Sequence, residues 1–425
     1  MTERLSTFGK RLALDSGIGE LMRDLGDALA AGNSETCMLG GGQPSHIPAV
    51  DAIWQQRLTE IASDPAKVSR VLGDYDPPAG DAAFRDAVAK FFYRQFGWPI
   101  TKDNVCVTAG GQTAFFLLLN AIAGRFDDRE ARKVLLPLSP EYIGYADQSV
   151  STEFFRATKP LIHETGPHEF KYEIDFDALQ VDDSIAAMCL SRPTNPSSNV
   201  VSDEELAKLC GIAKENQIPL IIDNAYGLPF PGAIFGDAVP HYDPSMILTF
   251  SLSKLGLPGT RTGIVIAEPE VVQYLSCMNA ISSLANNNLG QAITLPLFEN
   301  DQIATISRDV IRPYYRERSQ QARQWLVDSI DPSIPFRIHR CEGAFFLWLW
   351  LPGLPISSAE LYERLKRRNV LVISGHHFFF GLEDTEWSHR DECLRISYTT
   401  DPDVLQRGLK ILGEEINSLY QVTVP

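Results

Sequence analysis

The chain is poor in features that mark several common functional classes, and each shortage argues against one of them. Seven cysteines (Cys37, Cys106, Cys189, Cys210, Cys277, Cys341 and Cys393) are scattered over 425 residues. They are odd in number and form no C-x-x-C pair, which argues against a secreted disulfide framework or a zinc ribbon and for a reducing compartment. Of eight histidines only His376 and His377 adjoin. Neighbours on an extended segment point apart, so no metal site is expected. Positive charge is short as well: 38 Lys and Arg stand against 54 Asp and Glu, a formal net charge of −16. Such a surface repels phosphate backbones and anionic lipid, so neither nucleic acid nor membrane is an expected partner. Any anionic ligand then needs a locally positive pocket. Long apolar runs are missing, and the stretches near Phe115–Ala123 and Ala344–Leu351 are too short to span a bilayer. No apolar segment of a secretory signal follows Arg4, Lys10 and Arg11, so a cytoplasmic location is expected.

What is present reads as α/β. Short apolar runs fall at Val105–Thr108, Val134–Leu138, Ala186–Leu190, Leu220–Ile222, Ile247–Phe250 and Ile264–Ala267, with a helix expected from about Gln112 to Ala123. Runs of this kind between helices or loops are the mark of a buried, largely parallel sheet. Ser202-Asp203-Glu204-Glu205 opens a further helix with a capping-box pattern. After about residue 300 the pattern changes to a smaller α+β unit. It has a long helix near Ser307–Ile330, strands at Phe336–Arg340 and Ala344–Trp350, and a helix over Ser358–Arg368. Strands at Val370–Ile373 and Leu394–Tyr398 and a closing helix over Val404–Tyr420 complete it.

The informative feature is the polar chemistry at the ends of the apolar runs, where open α/β sheets bind ligands. Four ends stand out: Thr108-Ala109-Gly110-Gly111-Gln112, Ser191-Arg192-Pro193-Thr194-Asn195-Pro196, Asp223-Asn224-Ala225-Tyr226 and Ser251-Leu252-Ser253-Lys254. Each alone has an ordinary reading as a turn, a helix cap or a surface charge. Their joint order does not.

Together these segments resemble the fold-type-I pyridoxal-5′-phosphate (PLP) dependent aminotransferases, over nearly the whole chain. The run Ser-Leu-Ser-Lys-Leu-Gly-Leu-Pro-Gly-Thr-Arg-Thr-Gly from Ser251 is similar to that family's cofactor-lysine signature. The resemblance implies an imine between Lys254 and the cofactor, Asp223 paired with the pyridine nitrogen, and Tyr226 and Asn195 on the ring's phenolate oxygen. It implies Gly111, Gln112, Ser251, Ser253 and Arg261 around the phosphate, Tyr142 stacked on the ring, and Tyr75 reaching the phosphate of a neighbouring subunit in a homodimer. For the substrate it implies Arg395 as the carboxylate clamp, helped by Asn195 and Gly42. Ile18 would belong to a cover over an apolar side chain. The implied division is 1–44 as a segment joining the small domain, 45–300 as the large cofactor domain and 301–425 as the small domain. Three departures stand out. Arg261 follows the lysine by seven residues, Ser198 stands where glycine is common, and Gly111 replaces a frequent serine.

Within the family, segments 38–44, 140–147, 223–232, 251–259 and 342–350 resemble a bacterial subgroup, the valine–pyruvate aminotransferases. That likeness implies an apolar amino acid as donor, a 2-oxo acid such as pyruvate as acceptor, and a ping-pong exchange. Asn286-Asn287-Asn288 and Ile373-Ser374-Gly375-His376-His377-Phe378 differ from the subgroup and are expected to border the pocket. The same residues would also serve a C–S lyase or β-eliminating enzyme. A ligand-sensing regulator would need a DNA-binding module in front, and the family-like match begins within the first few dozen residues.

Overall fold

The apolar runs in the middle of the chain assemble into one seven-stranded sheet. The structure is a computed structural model and describes residues 4–13, 17, 19, 22, 23, 26, 35–127 and 130–421. Across the sheet the strands are Val105–Thr108, Gly263–Ile266, Met246–Ser251, Leu220–Asp223, Ile185–Ser191, Lys133–Leu136 and Phe155–Ala157. All run parallel except Gly263–Ile266, which is antiparallel to both its neighbours. Alternate residues feed two apolar layers. Val107, Leu190, Ile222 and Phe250 pack with helices Ala82–Phe96 and Asn288–Glu299 on one face, while Cys106, Cys189, Ile221 and Ile247 pack with helix Gly111–Ile122 on the other. Burial on both faces explains why the runs are continuously apolar rather than alternating.

The parallel direction brings the polar strand ends to one edge. Ser191 lies beside Asp223, Asp223 beside Thr249, and Ser251 and Thr108 both beside Gly263. The Ser202 helix begins where expected, with the reciprocal Ser202 and Glu205 capping bonds in place.

A second sheet of six strands runs Ile373–Ser374, Cys393–Ser397, Phe346–Trp350, Arg337–His339, Glu169–Glu173, Leu161–Gly166. Its last two strands form a hairpin from inside the stretch 45–300, so a boundary at residue 300 separates them from the sheet they join. The cause is apolar: Phe170 and Tyr172, alternating with charged residues, are fully buried, and Ile338 and His339 pair in parallel with Glu169 and Phe170. The run expected as one strand over Val370–Ile373 is divided. Val370–Leu371 pairs with Cys37–Met38, whereas Ile373–Ser374 joins the six-stranded sheet. The long helix also opens differently from a plain α-helix. Ser307–Ile311 is a π turn, followed by α-helix Arg312–Ser329, and the change falls just before Pro313, whose ring cannot follow a regular α turn. Among the described residues no helix is long and apolar enough to cross a membrane.

Candidate active site

A cavity of about 330 Å³ opens where the polar strand ends meet the second sheet. Gly42, Gly111, Gln112, Tyr142, Asn195, Asp223, Tyr226, Ser251, Ser253, Lys254, Arg261 and Arg395 all line it, joined by Met22, Ile143 and Ser191. The fold therefore brings twelve of the expected site residues into one place. Two are not among them. Tyr75 is 81% exposed on a separate loop, and Ile18 lies outside the described residues.

Lys254 follows the Met246–Ser251 strand on a short 3-10 turn, which aims its amine into the cavity. Its Nζ donates to the Gly42 carbonyl at 2.5 Å and lies 5.3 Å from the Tyr226 ring centre. Burial, reinforced by Arg395 and then Arg261 and opposed by Asp223, lowers its pKa to about 8. An amine so tuned gives up its proton near neutral pH.

Asp223 ends its strand with the carboxylate buried under the cavity. It accepts from Tyr145 Oη at 2.5 Å, from the Ala225 amide at 2.8 Å and from Thr249 Oγ1 at 3.4 Å. Burial still holds its pKa above the usual carboxylate range, although these bonds and the Lys254 charge pull it down. A cation bound against this carboxylate would offset the desolvation that burial imposes. Tyr226 is buried and its phenol is pushed up in pKa, so it remains a donor.

The helix Gly111–Ile122 begins at the same edge, with Gly110 at its N-cap in a positive-φ conformation (φ +89°). The positive φ favours glycine at this position, and a side chain there would push the Arg261 guanidinium aside. Helix amides, Ser251, Ser253 and Arg261 converge there. Arg261 reaches Ser253 Oγ at 3.5 Å and the Ala109 carbonyl at 3.4 Å and is exposed. Unspent amides at a helix start together with a guanidinium suit a phosphate.

Arg395 sits mid-strand in Cys393–Ser397, opposite Trp348, and is 2% exposed. One guanidinium nitrogen donates to Asn195 Oδ1 at 2.8 Å and another to the Gly40 carbonyl at 2.7 Å. Phe346 and Phe378 flank the group at 4.2 and 5.3 Å. It forms no ion pair among the described residues, its Nε has no hydrogen-bond partner, and burial lowers its pKa to about 10. A buried cation without an anion is held ready for one.

The departures from the family pattern have local causes. Ser198 adopts φ +62°, the left-handed backbone that glycine accepts most easily, and its hydroxyl donates to the Phe346 carbonyl at 2.6 Å. Asn286, Asn287 and Asn288 do not border the cavity, contrary to expectation. Asn286 and Asn288 donate to carbonyls of the loop that carries Tyr75, and Asn287 caps the helix Asn288–Glu299. The His376 and His377 rings lie tilted against each other with centres 3.9 Å apart, and a Cβ on Gly17 would come within 2.7 Å of His377 Nδ1 and 2.9 Å of Ile143 Cδ1. Neither histidine is among the residues that line the cavity, contrary to expectation.

Two residues went unassigned in the sequence. Tyr145 is one, bonded to Asp223. Glu141 is the other, wholly buried and accepting from the Ser191 amide and hydroxyl, each at 2.7 Å, and from the Tyr142 amide at 3.0 Å. Burial pushes its pKa up to about 8, with Asp223 adding to the rise. Their signal was the segment Pro-Glu-Tyr-Ile-Gly-Tyr, where an acid and a tyrosine precede the short helix Ile143–Ala146 and a second tyrosine lies within it.

The residues present fit PLP: an acid for the ring nitrogen, an amine near neutrality, and a phosphate cradle. Comparison with known proteins agrees. Residues 39–412 match the family described as aminotransferase class I and II. The valine–pyruvate aminotransferase of Escherichia coli K12 is 42% identical over 415 residues, covering 98% of both chains. A putative amino-acid aminotransferase from Psychrobacter arcticum 273-4 superposes with TM-score 0.94 at 42% identity, covering 98% of this chain and 99% of its own. The valine–pyruvate aminotransferase of Salmonella typhimurium LT2 gives TM-score 0.87 at 43% identity, covering 95% and 99%.

Proposed function

Since the chain belongs to the class I and II aminotransferases, we propose that it carries an amino group from valine to pyruvate at the cavity around Lys254, releasing a 2-oxo acid and alanine in turn. That it is a PLP-dependent aminotransferase follows from the family; the choice of substrates is our reading. The observation that carries it is the set of cations lining the cavity, which among the described residues are Lys254, Arg261 and Arg395. Arg261 stands at the helix start with the serines, which leaves Arg395 alone to grip a substrate. One guanidinium serves one carboxylate. A side-chain carboxylate would find no further cation there and would lie unpaired beside the buried Ile143, and burying an unpaired charge is strongly unfavourable. An apolar side chain meets no such penalty. The printed function of the relatives from E. coli and S. typhimurium supports the same choice.

Bound here, the cofactor supplies an electron-withdrawing ring and a carbon that holds the amino group between the two half-reactions. The chain's own residues do the rest. Arg395 orients the substrate through two parallel hydrogen bonds to its carboxylate, with Asn195 and Gly42 beside it. Lys254 Nζ takes the proton from the substrate's Cα and later returns one, a task that suits an amine of pKa about 8. Asp223, steadied by Tyr145, keeps the ring nitrogen protonated, while Tyr226 and Asn195 hold the ring's oxygen and Tyr142 covers its face. Gly111, Gln112, Ser251, Ser253 and Arg261 hold the phosphate. The exposed Tyr75 reaches the phosphate of a second copy, so the working unit is a homodimer, and the cytoplasm is its expected compartment.

The test is a donor screen with the purified holoenzyme and pyruvate. Valine and alanine-forming exchange should lead, with aspartate and glutamate far behind, and borohydride should fix the cofactor's mass on the Lys254 peptide. Faster turnover of aspartate than of valine would overturn the substrate assignment. Steady ammonia release from one amino acid without an acceptor would make the enzyme a lyase instead.

A further inference from the structure

The loop that carries Tyr75, from Asp74 to Asp81, is fastened along its length by side chains that reach its backbone. Asn288 Nδ2 donates to the Asp74 carbonyl at 2.8 Å, next to the tyrosine. Arg70 pairs with Asp76 and, at 3.2 Å, with Asp81. The Asp81 amide donates to Gln291 at 2.9 Å. Between these, two buried amides act in parallel. Asn279 Nδ2 reaches the Pro78 carbonyl at 3.1 Å and the Val107 carbonyl at 2.9 Å, and Asn286 Nδ2 reaches the same two carbonyls, each at 2.9 Å.

This arrangement joins two places with different roles. Pro78 belongs to the tyrosine loop. Val107 is in the strand that ends at Thr108 and delivers the glycine turn where the phosphate donors converge. Each amide thus bridges the loop and the strand with a single NH2 group. The carbonyl ends of Asn279, Asn286 and Asn288 have no partner among the described residues, so the bonds to this region all come from their donor ends. A buried carbonyl that loses such a donor is left unsatisfied, which makes the loop expensive to displace. Yet Tyr75 itself stays exposed at 81%. A rigid loop holding an exposed aromatic outward is built to meet something beyond its own chain.

We propose that Asn279, Asn286 and Asn288 are positioning residues that set Tyr75 for the cofactor phosphate of a second copy of this chain. The inference rests on the reading of Tyr75 given above. It also gives the asparagine run, which departs from the subgroup pattern, a task that a glycine-rich turn lacks the donors to perform.

The test follows cofactor retention of the holoenzyme, read as the PLP dissociation constant from absorbance after dilution, in Tyr75→Phe, Asn286→Ala, Asn288→Ala and the double variants with Tyr75→Phe. A lost hydrogen bond of ordinary strength predicts about threefold to tenfold weaker retention in each asparagine variant. Because the amides act through Tyr75, each double variant should be no weaker than Tyr75→Phe alone. Asn288 is partly exposed at the loop's start, so Asn288→Ala carries the cycle should Asn286→Ala not fold. Unchanged retention in the asparagine variants, beside a weakened Tyr75→Phe, would overturn the inference and leave the tyrosine reading standing. Additive losses in the double variants would reduce the amides to general structural supports. Unchanged retention in Tyr75→Phe would remove the tyrosine reading and this inference with it.

Discussion

Arg261 and Arg395 enter one cavity from a turn and from a strand, and they are held in opposite ways. Arg261 lies in a left-handed turn (φ +46°), is exposed, and makes contacts of 3.4–3.5 Å to a hydroxyl and carbonyls. Arg395 is buried mid-strand, with bonds of 2.7 and 2.8 Å and two aromatic rings against its guanidinium. The difference suits the roles proposed for them, a phosphate for Arg261 and a substrate carboxylate for Arg395. A phosphate already receives helix amides and serines, so one loose guanidinium adds charge more than direction. A substrate carboxylate has far fewer partners, and its placement decides where Cα meets Lys254, so the group that grips it must be fixed before binding.

The sharpest way to break this comparison is Arg395→Lys. Lysine keeps the charge but loses the two-pronged geometry, and breaking a buried, hydrogen-bonded charge pair costs about 2–5 kcal/mol. At roughly 1.4 kcal/mol per tenfold, kcat/KM should fall about 30-fold to several thousand-fold, for valine and alanine alike. Some loss of Tm is expected, because Gly40 and Asn195 also lose a donor. If the variant unfolds while its folded fraction turns over normally, Arg395 is structural and the contrast disappears.

Arg261→Lys should be milder and different in kind. Cofactor affinity should weaken by about tenfold or less, the scale of one exposed charged contact, and saturating PLP should restore most of the activity. A loss of kcat that added cofactor does not restore would show that Arg261 also directs the reaction.

The third prediction uses Lys254 as a meter of both charges. Arg395 lowers its pKa more than Arg261 does, after burial. In the apoprotein, amine-directed labelling of Lys254 should reach half its limiting rate near pH 8, since only the neutral amine reacts. Arg395→Met should move that midpoint upward toward the ordinary lysine value, and Arg261→Met should move it less. The reverse order would show that the looser arginine exerts the stronger field. The smallest effect is expected from Tyr145→Phe, which removes the first of the bonds that pull the Asp223 pKa down. The acid limb of the kcat/KM profile should shift to higher pH, and rates near neutrality should change only a few-fold. An unmoved acid limb would mean that Asp223 does not depend on Tyr145.

Much of this geometry was legible in the sequence because it sits at strand ends. Val105–Thr108, Leu220–Asp223 and Met246–Ser251 are apolar runs that stop at polar residues, and a parallel sheet gathers such stops at one edge. Tyr145 and Glu141 were not legible as partners of Asp223 and Ser191, because the bonds span 78 and 50 residues and depend on which strands lie side by side. The six-stranded sheet was harder still. Glu169–Glu173 alternates cleanly between charged and aromatic residues, but nothing local says that its neighbour is Arg337–His339. Asn286–Asn288 stood out as a departure, yet the loop it supports lies more than 200 residues away in sequence.

The hairpin of Leu161–Gly166 and Glu169–Glu173 also fixes an order of events during synthesis. Tyr172 meets His339 only after a further 167 residues have been made. At about 5–20 residues per second, the wait is roughly ten to thirty seconds. Throughout it, Phe170 and Tyr172 hang from the growing chain on an unpaired edge, shielded only by flanking charges such as Glu169, Lys171 and Glu173. The seven-stranded sheet has its last strand by Ile266 and can close first. Nascent chains halted between residues 266 and 337 therefore expose a sticky ribbon beside a finished sheet, and the strand that carries Arg395 joins that ribbon's sheet later still.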